Sequence, residues 1–306
     1  MSALPNSSDP ALAVQGAGPA PAGAYERSSG YWRNVARRFA RDPLAVFAGL
    51  VILGLILMAV LAPWITPADP FQASMLRRLR PIGTEGYPLG SDELGRDMLS
   101  RLMLGARLSL FMGITPVLAA FVIGSAIGIL AGYAGGLVNT AIMRTIDVLY
   151  AFPSVLLAIA LSGALGAGIT NALISLTIVF IPPLARVAES VTTQVRRSDY
   201  VDAARASGAG ALTIVRAHVL SNVMGPIFVY ATSLISVSMI LASGLSFLGL
   251  GVRPPEPEWG LMLNTLRTAI YTQPWVAALP GVMIFMTSIS FNLLSDGLRS
   301  AMEVKE

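Results

Sequence analysis

Residues 199–222 read DYVDAARASGAGALTIVRAHVLSN, a polar segment between two long apolar stretches. Asp199 is a suitable N-cap, alanines then favour a helix, and Gly208 and Gly210 interrupt it. An apolar stripe follows, formed by Leu212, Ile214, Val215 and Val219. The sequence therefore predicts two short helices around a glycine turn, which we call the module. An exposed amphipathic element needs a partner, which favours a docking role over a solvated interfacial helix.

The composition indicates a membrane protein. The chain is 54% hydrophobic and 12% charged, whereas about a quarter of the residues are charged in soluble domains. The absence of cysteine excludes disulfides and thiolate metal sites. The one histidine, His218, excludes multi-histidine metal sites, and we interpret it as interfacial packing. No phosphate-binding glycine motif is present, so we expect that the chain is not an enzyme and binds no cofactor itself.

The formal net charge of +4 and the pI of about 9.7 are explained by orientation of the chain in a membrane. Basic residues flank the apolar segments, and they are more numerous on the side assigned to the termini. We therefore expect contact with membrane lipid rather than with nucleic acid. No cleavable signal peptide is recognised, and the first apolar run should act as an uncleaved anchor.

We predict an all-α, polytopic membrane protein with six transmembrane helices and both termini in the cytoplasm. Residues 1–30 form a disordered tail, 31–43 an interfacial segment and 44–303 the membrane domain. Outer loops are expected at 63–107 and 249–275. The charge-free stretches place spans at about 44–62, 108–132, 141–162, 170–190, 226–248 and 276–297.

The first outer loop contains a predicted amphipathic helix. Ser91 can cap it, and Asp92 and Glu93 would stand in its positive first turn. Apolar residues then recur at helical spacing, at Leu94, Met98, Leu99, Leu102 and Met103. We expect this helix to lie on the outer membrane face.

Several features within the spans have structural interpretations. Asp147 follows Arg144 by one helical turn, so we interpret the two as an i,i+3 ion pair near the interface. Glycines recur every fourth residue from Gly124 to Gly132, a spacing typical of close helix contacts. The span prolines are either static bends or gating hinges; they are Pro116, Pro153, Pro182, Pro183 and Pro280.

The module resembles the EAA loop of importer-type ABC transporter permeases, whose pattern is Glu-Ala-Ala followed by a glycine. Here the segment reads Asp202-Ala203-Ala204-Arg205-Ala206-Ser207-Gly208. Asp202 stands in place of the usual glutamate, and Ser221 in place of a common proline near the end. The glycine turn at Gly208 is retained.

Three further segments are similar to signatures of the C-type subunit of dipeptide/oligopeptide/nickel permeases. They are GSDELGRD at 90–97 with GAR at 105–107, LSFLGLG at 245–251 with PP at 254–255 and EWG at 258–260, and FNLLSDGLR at 291–299. Ala242 stands where the family often has a glutamate. The resemblance covers about residues 33–303.

The resemblance implies a permease subunit of an ATP-driven ABC importer in the bacterial inner membrane. Its partners would be a homologous B-type permease, two cytoplasmic ATPase subunits that hold ATP-Mg, and an outer solute-binding protein. The ATPase-coupling residues would be Asp202, Ala203, Ala204, Arg205 and Gly208. The residues facing the binding protein would be Asp92, Arg96, Asp97, Pro254, Pro255 and Trp259.

Two other functions compete with this one. An ion-coupled secondary transporter would need paired ionisable groups inside the spans and usually inverted repeats, and neither is evident. A membrane scaffold would not need the glycine-turn module. The cargo stays open at this point among dipeptides, oligopeptides, glutathione, opines and nickel chelates.

Overall fold

The computed structural model describes residues 31–302, and within that range the chain is helical with no β-strand. The predicted tail at 1–30 and residue 303 lie outside the described residues. The helices are α1 (Tyr31–Phe39), α2 (Pro43–Ile65), α3 (Met98–Ala134), α4 (Gly136–Tyr150), α5 (Ser154–Leu165), α6 (Ile169–Arg196), α7 (Asp199–Ala206), α8 (Ala211–Ile214), α9 (Leu220–Phe247), α10 (Trp259–Thr265) and α11 (Pro274–Met302).

Five helical segments of the described chain are long and apolar enough to cross a membrane. They are α2, α3, α6, the run from α8 through α9, and α11. The α4–α5 pair supplies a sixth crossing if it is counted as one span, and the two helices meet at 85°. The prediction of an all-helical, membrane-spanning chain is confirmed.

The span predicted as continuous over 141–162 is instead broken between α4 and α5. Pro153 explains the break, because proline lacks an amide hydrogen and disfavours helical backbone at the preceding Phe152. The prolines of α3, α6 and α11 lie inside uninterrupted helices.

The loops gather at two ends of the bundle. The module lies beside the end of α11, since Gly225 at the start of α9 faces Met302. At the opposite end, the amide of Gly168 donates to the carbonyl of Leu250 at 3.1 Å. We call these the expected cytoplasmic end and the expected outer end.

The helix predicted to start at Ser91 begins later, at Met98, and continues into the span as α3. Its N-cap is Asp97, whose carboxylate accepts from the Ser100 amide at 2.8 Å. Gly95 at φ +75° lies in the left-handed region, which stops a helix from forming across it. Ser91 caps nothing; its hydroxyl accepts from the amide of Arg80 at 2.9 Å and donates to the carbonyl of Arg77.

Helices α3 and α6 form the most closely packed pair in the bundle. A Cβ placed on Gly124 would lie 2.9 Å from the carbonyl oxygen of Ile181, and one on Gly132 would lie 2.7 Å from that of Glu189. Gly128 faces Ala188 in the same row. Only glycine lets the two backbones approach this closely, so the predicted contact face is confirmed.

The ion pair predicted between Arg144 and Asp147 is wrong. Asp147 pairs with Arg186 of α6, and that guanidinium also lies over the ring of Tyr150, 5.0 Å from its centre. The bundle brings α4 and α6 together, and this tertiary contact overrides the weak local preference for an i,i+3 pair.

Candidate functional site

The module at 199–222 is a compact turn of two helices. The predicted cap at Asp199 is wrong: the capping position is Ser198, and Asp199 and Asp202 lie in the first turn of α7. Acidic side chains there complement the positive end of the helix. Gly208, at φ +82°, ends α7 in the left-handed region. The amide of Ala209 then donates to the carbonyl of Ala204 at 3.1 Å, and this hydrogen bond closes the turn as in other glycine C-caps.

The module is anchored by one apolar face and presents another face to solvent. Val201, Ile214 and Val219 are fully or almost fully buried against the bundle. Leu212 is 70% exposed and Tyr200 is 44% exposed. An anchored element that leaves large apolar groups exposed has the form of a docking surface.

The expected coupling residues fall together on α7 and the turn that follows it. Asp202 and Arg205 form an exposed ion pair at 2.8 Å, Ala203 is exposed and Ala204 is half-buried. Gly208 is exposed in the turn. His218 lies beside Tyr200, with ring centres 6.1 Å apart, in line with a packing role.

A polar cavity of about 600 Å³ separates α7 from the ends of α3, α4 and α6. Glu189 organises one wall: its carboxylate accepts from the side-chain Nδ2 of Asn139 at 2.7 Å and from the Thr193 hydroxyl at 3.0 Å. Arg196 donates to the carbonyl of Gly132 at 3.4 Å. The cavity links the module to the α3–α6 contact through polar groups.

The first outer segment is held by a buried charge cluster. Asp92 accepts from the side chain of Arg96 at 2.6 Å and lies 3.3 Å from the Arg101 guanidinium. Arg101 also donates to the carbonyl of Pro70 at 3.0 Å. Burial and the charge of Asp92 raise the pKa of Glu93. Such a paired and bonded cluster fixes loop geometry, and removing one member would leave an uncompensated charge.

The second outer segment is fastened to α3 by Glu258 and Trp259. The Glu258 carboxylate accepts from the amides of Gly260 and Leu261, both at 2.8 Å, and from the Ser109 hydroxyl at 3.3 Å. Burial raises the pKa of Glu258, despite these hydrogen bonds. The Trp259 indole, fully buried, donates to the carbonyl of Leu102 at 3.0 Å.

The residues expected to face a binding protein divide into two groups. Pro254 and Pro255 are exposed at the expected outer end. The other four are 5% exposed or less; they are Asp92, Arg96, Asp97 and Trp259. Within residues 31–302 no cluster of His, Cys, Asp and Glu could hold a metal ion.

Glu258 and Glu189 are the organising residues that sequence reasoning did not single out. Glu258 stands inside a quoted signature, but glutamate is not a favoured N-cap, so its role was hidden. Glu189 is the one acidic residue of α6, and an acid within an apolar helix is itself a signal.

The membrane-spanning helices and the exposed module at one end of the bundle suit a transport permease. The model of the family "Binding-protein-dependent transport system inner membrane component" matches residues 124–304. A second family model, for the N-terminal transmembrane domain of oligopeptide transport permease C, matches residues 30–81. The chain belongs to this family of binding-protein-dependent inner membrane components, and the predicted resemblance is confirmed.

Similar proteins match over nearly the whole chain. The glutathione transport system permease protein GsiD of Pectobacterium atrosepticum is 43% identical over 274 residues, which cover 90% of this chain and 91% of that protein. The di/tripeptide transport system permease protein DppC of Pseudomonas aeruginosa is 40% identical over 280 residues, covering 90% and 91%.

A solved structure supports the fold. A chain from inward-facing conformations of the MetNI methionine ABC transporter aligns with a TM-score of 0.55 and 19% sequence identity. The alignment covers 67% of this chain and 97% of that chain. At this identity the likeness concerns architecture alone.

Proposed function

We propose that this chain is a permease subunit of an ATP-driven ABC importer for short peptides, of the kind represented by glutathione and di- and tripeptides. The observation that carries the proposal is the exposed face of the module, anchored by Val201 and Ile214 and turned by Gly208. The cargo class comes from the relatives, which are named as glutathione and di/tripeptide permeases.

The module faces the cytoplasm in this proposal and docks on an ATPase subunit that holds ATP-Mg. Asp202, Ala203 and Arg205 lie on the contact face, Ala204 beneath it and Gly208 in the turn that sets its angle. Both termini then lie in the cytoplasm. A homologous B-type permease supplies the other half of the translocation path, and a second ATPase docks on that subunit.

The outer end receives a solute-binding protein. Pro254 and Pro255 are exposed and form part of the touching surface. Asp92, Arg96, Asp97 and Trp259 are buried, so they hold this surface in shape rather than touch the partner. The importer is expected to lose affinity for the binding protein when this cluster is disturbed.

Cross-linking and transport together test the proposal. The chain contains no cysteine, so an Ala203→Cys variant carries a single thiol on α7. We expect it to cross-link to an ATPase subunit in the assembled transporter, whereas Pro255→Cys at the outer end should not. Peptide uptake into proteoliposomes should require ATP and should survive collapse of ion gradients. Uptake driven by an ion gradient alone would favour a secondary transporter and overturn the proposal.

A further inference from the structure

One face of the bundle carries charged and aromatic side chains between its two ends. Arg186 of α6 donates to the carboxylate of Asp147 and stacks on Tyr150. The side chains of Arg186 and Asp147 are 49% and 40% exposed. Arg186 lies about 15 Å along the helix from its last residue, Arg196, at roughly 1.5 Å per residue. Contact with hydrocarbon would be unfavourable for such a pair, so this face borders water or protein.

Two neighbouring cavities lie beside this cluster, which reaches the first of them through Tyr150. A cavity of about 310 Å³ opens between α4, α5, α6 and α9, with Tyr150, Tyr230 and Val237 in its walls. A second cavity, of about 500 Å³, lies toward the cytoplasmic end and is lined by Tyr230, Ser233 and Asp296, among others. Tyr230 borders both cavities, so they adjoin. We call the two together the groove.

Helix α2 presents a different kind of surface. Helix α2 contains no charged residue, and its exposed side chains are aliphatic or aromatic, with Leu53 51% exposed. Val237, in the wall of the groove, is 42% exposed. These two residues are comparably exposed and both aliphatic, but only Val237 shares a cavity wall with Tyr150, the ring on which Arg186 stacks.

We propose that the groove is this chain's share of the translocation path and that Arg186 binds the terminal carboxylate of the peptide cargo. This inference rests on the proposed function. An arginine offers five donors, and Asp147 accepts one hydrogen bond here. The remaining donors suit a carboxylate. Cavities of about 300–1,000 Å³ are typical of small-ligand sites.

Matched single cysteines test the groove. Val237→Cys and Leu53→Cys variants are assembled with the partner subunits in inside-out vesicles and treated with a water-soluble methanethiosulfonate. We expect Val237→Cys to react at least about tenfold faster, because the reactive thiolate forms in water and not in hydrocarbon. Equal, slow reaction at both positions, in a transporter that still takes up peptide, overturns the groove and leaves the proposed function standing. Fast reaction in the isolated chain but slow reaction in the complex would show that the partner permease covers the groove. That result would also overturn the assignment of the groove to the translocation path.

The role of Arg186 is tested by protection. Trialanine should slow the modification of Val237→Cys, and its C-terminal amide should protect less. Adding Arg186→Gln should remove the difference between the two peptides, while Arg186→Lys should restore part of it. Arg144→Gln, one helical turn from Asp147 but outside the pair, is the control. Equal protection by both peptides in the unmodified background, or protection by neither, overturns the carboxylate contact.

Discussion

Gly208 allows the strongest test of the module, because a side chain there would strain the backbone without clashing with any neighbour. The residue has φ +82°, a conformation that L-residues reach at a cost of roughly 1–2 kcal/mol. No atom lies within 4 Å of the position that a Cβ would take. A side chain would therefore meet strain in the backbone but no steric clash.

The Gly208→Val variant isolates that strain. A local cost of about 1.4 kcal/mol lowers the ratio of formed to unformed turn about tenfold, and a β-branched residue lies at the upper end of the cost. Gly208→Asn is the matched control, because asparagine tolerates the left-handed region. Gly210→Ala is a second control, since Gly210 has the ordinary φ of −68°.

The assay is ATP-driven peptide uptake by the assembled transporter in proteoliposomes. We expect uptake by Gly208→Val to fall by up to about tenfold, the limit that applies when the turn is only marginally stable. Gly208→Asn and Gly210→Ala should retain most activity. Membrane insertion and thermal stability of the chain should change little, because the turn is exposed. Normal uptake by Gly208→Val at normal abundance would refute the reasoning.

Three other perturbations have clear expectations. Gly128→Leu should force α3 and α6 apart and reduce stability by roughly 3 kcal/mol or more. The control is Gly163→Leu, at a position with open space, and that variant should keep the normal melting temperature. Equal melting temperatures for the two variants would contradict the contact face. Glu258→Ala orphans two amides and should cost about 2–6 kcal/mol, at about 1–3 kcal/mol for each amide. Glu258→Gln should be intermediate when melting is followed by Trp fluorescence; an alanine variant of unchanged stability would show that the carboxylate fastens nothing. Asp202→Lys breaks the exposed pair with Arg205 and should change stability by less than about 0.5 kcal/mol. It should nevertheless abolish stimulation of the ATPase, while Asp202→Glu is tolerated; unchanged stimulation in the lysine variant would make the charge irrelevant.

The spans and the module were accessible to sequence reasoning because their signals are local. A charge-free apolar run predicts a span by its length alone. Gly208 predicts a turn, because few other residues adopt a positive φ. The row of glycines ending at Gly132 predicted a close helix contact, because residues without a side chain let two helices approach. Each of these features depends on neighbours in the sequence.

Contacts between distant segments could not be foreseen in the same way. Asp147 pairs with Arg186, which lies in another helix, although Arg144 was the nearer candidate in sequence. Asp92 and Arg96 look like surface charges in the sequence, yet the fold buries them against Arg101. The sequence shows that charges are present, but which of them are buried depends on how the helices pack.

Helix α3 joins the two working ends of the molecule in one piece. It begins in the outer charge cluster at Arg101 and ends against Arg196 near the module, and its 37 residues form one uninterrupted helix. At 1.5 Å per residue it is about 55 Å long, well beyond the roughly 30 Å of a bilayer core. A tilt of about 10° around its centre moves each tip by about 5 Å, in opposite directions, so the two ends share one mechanical coordinate.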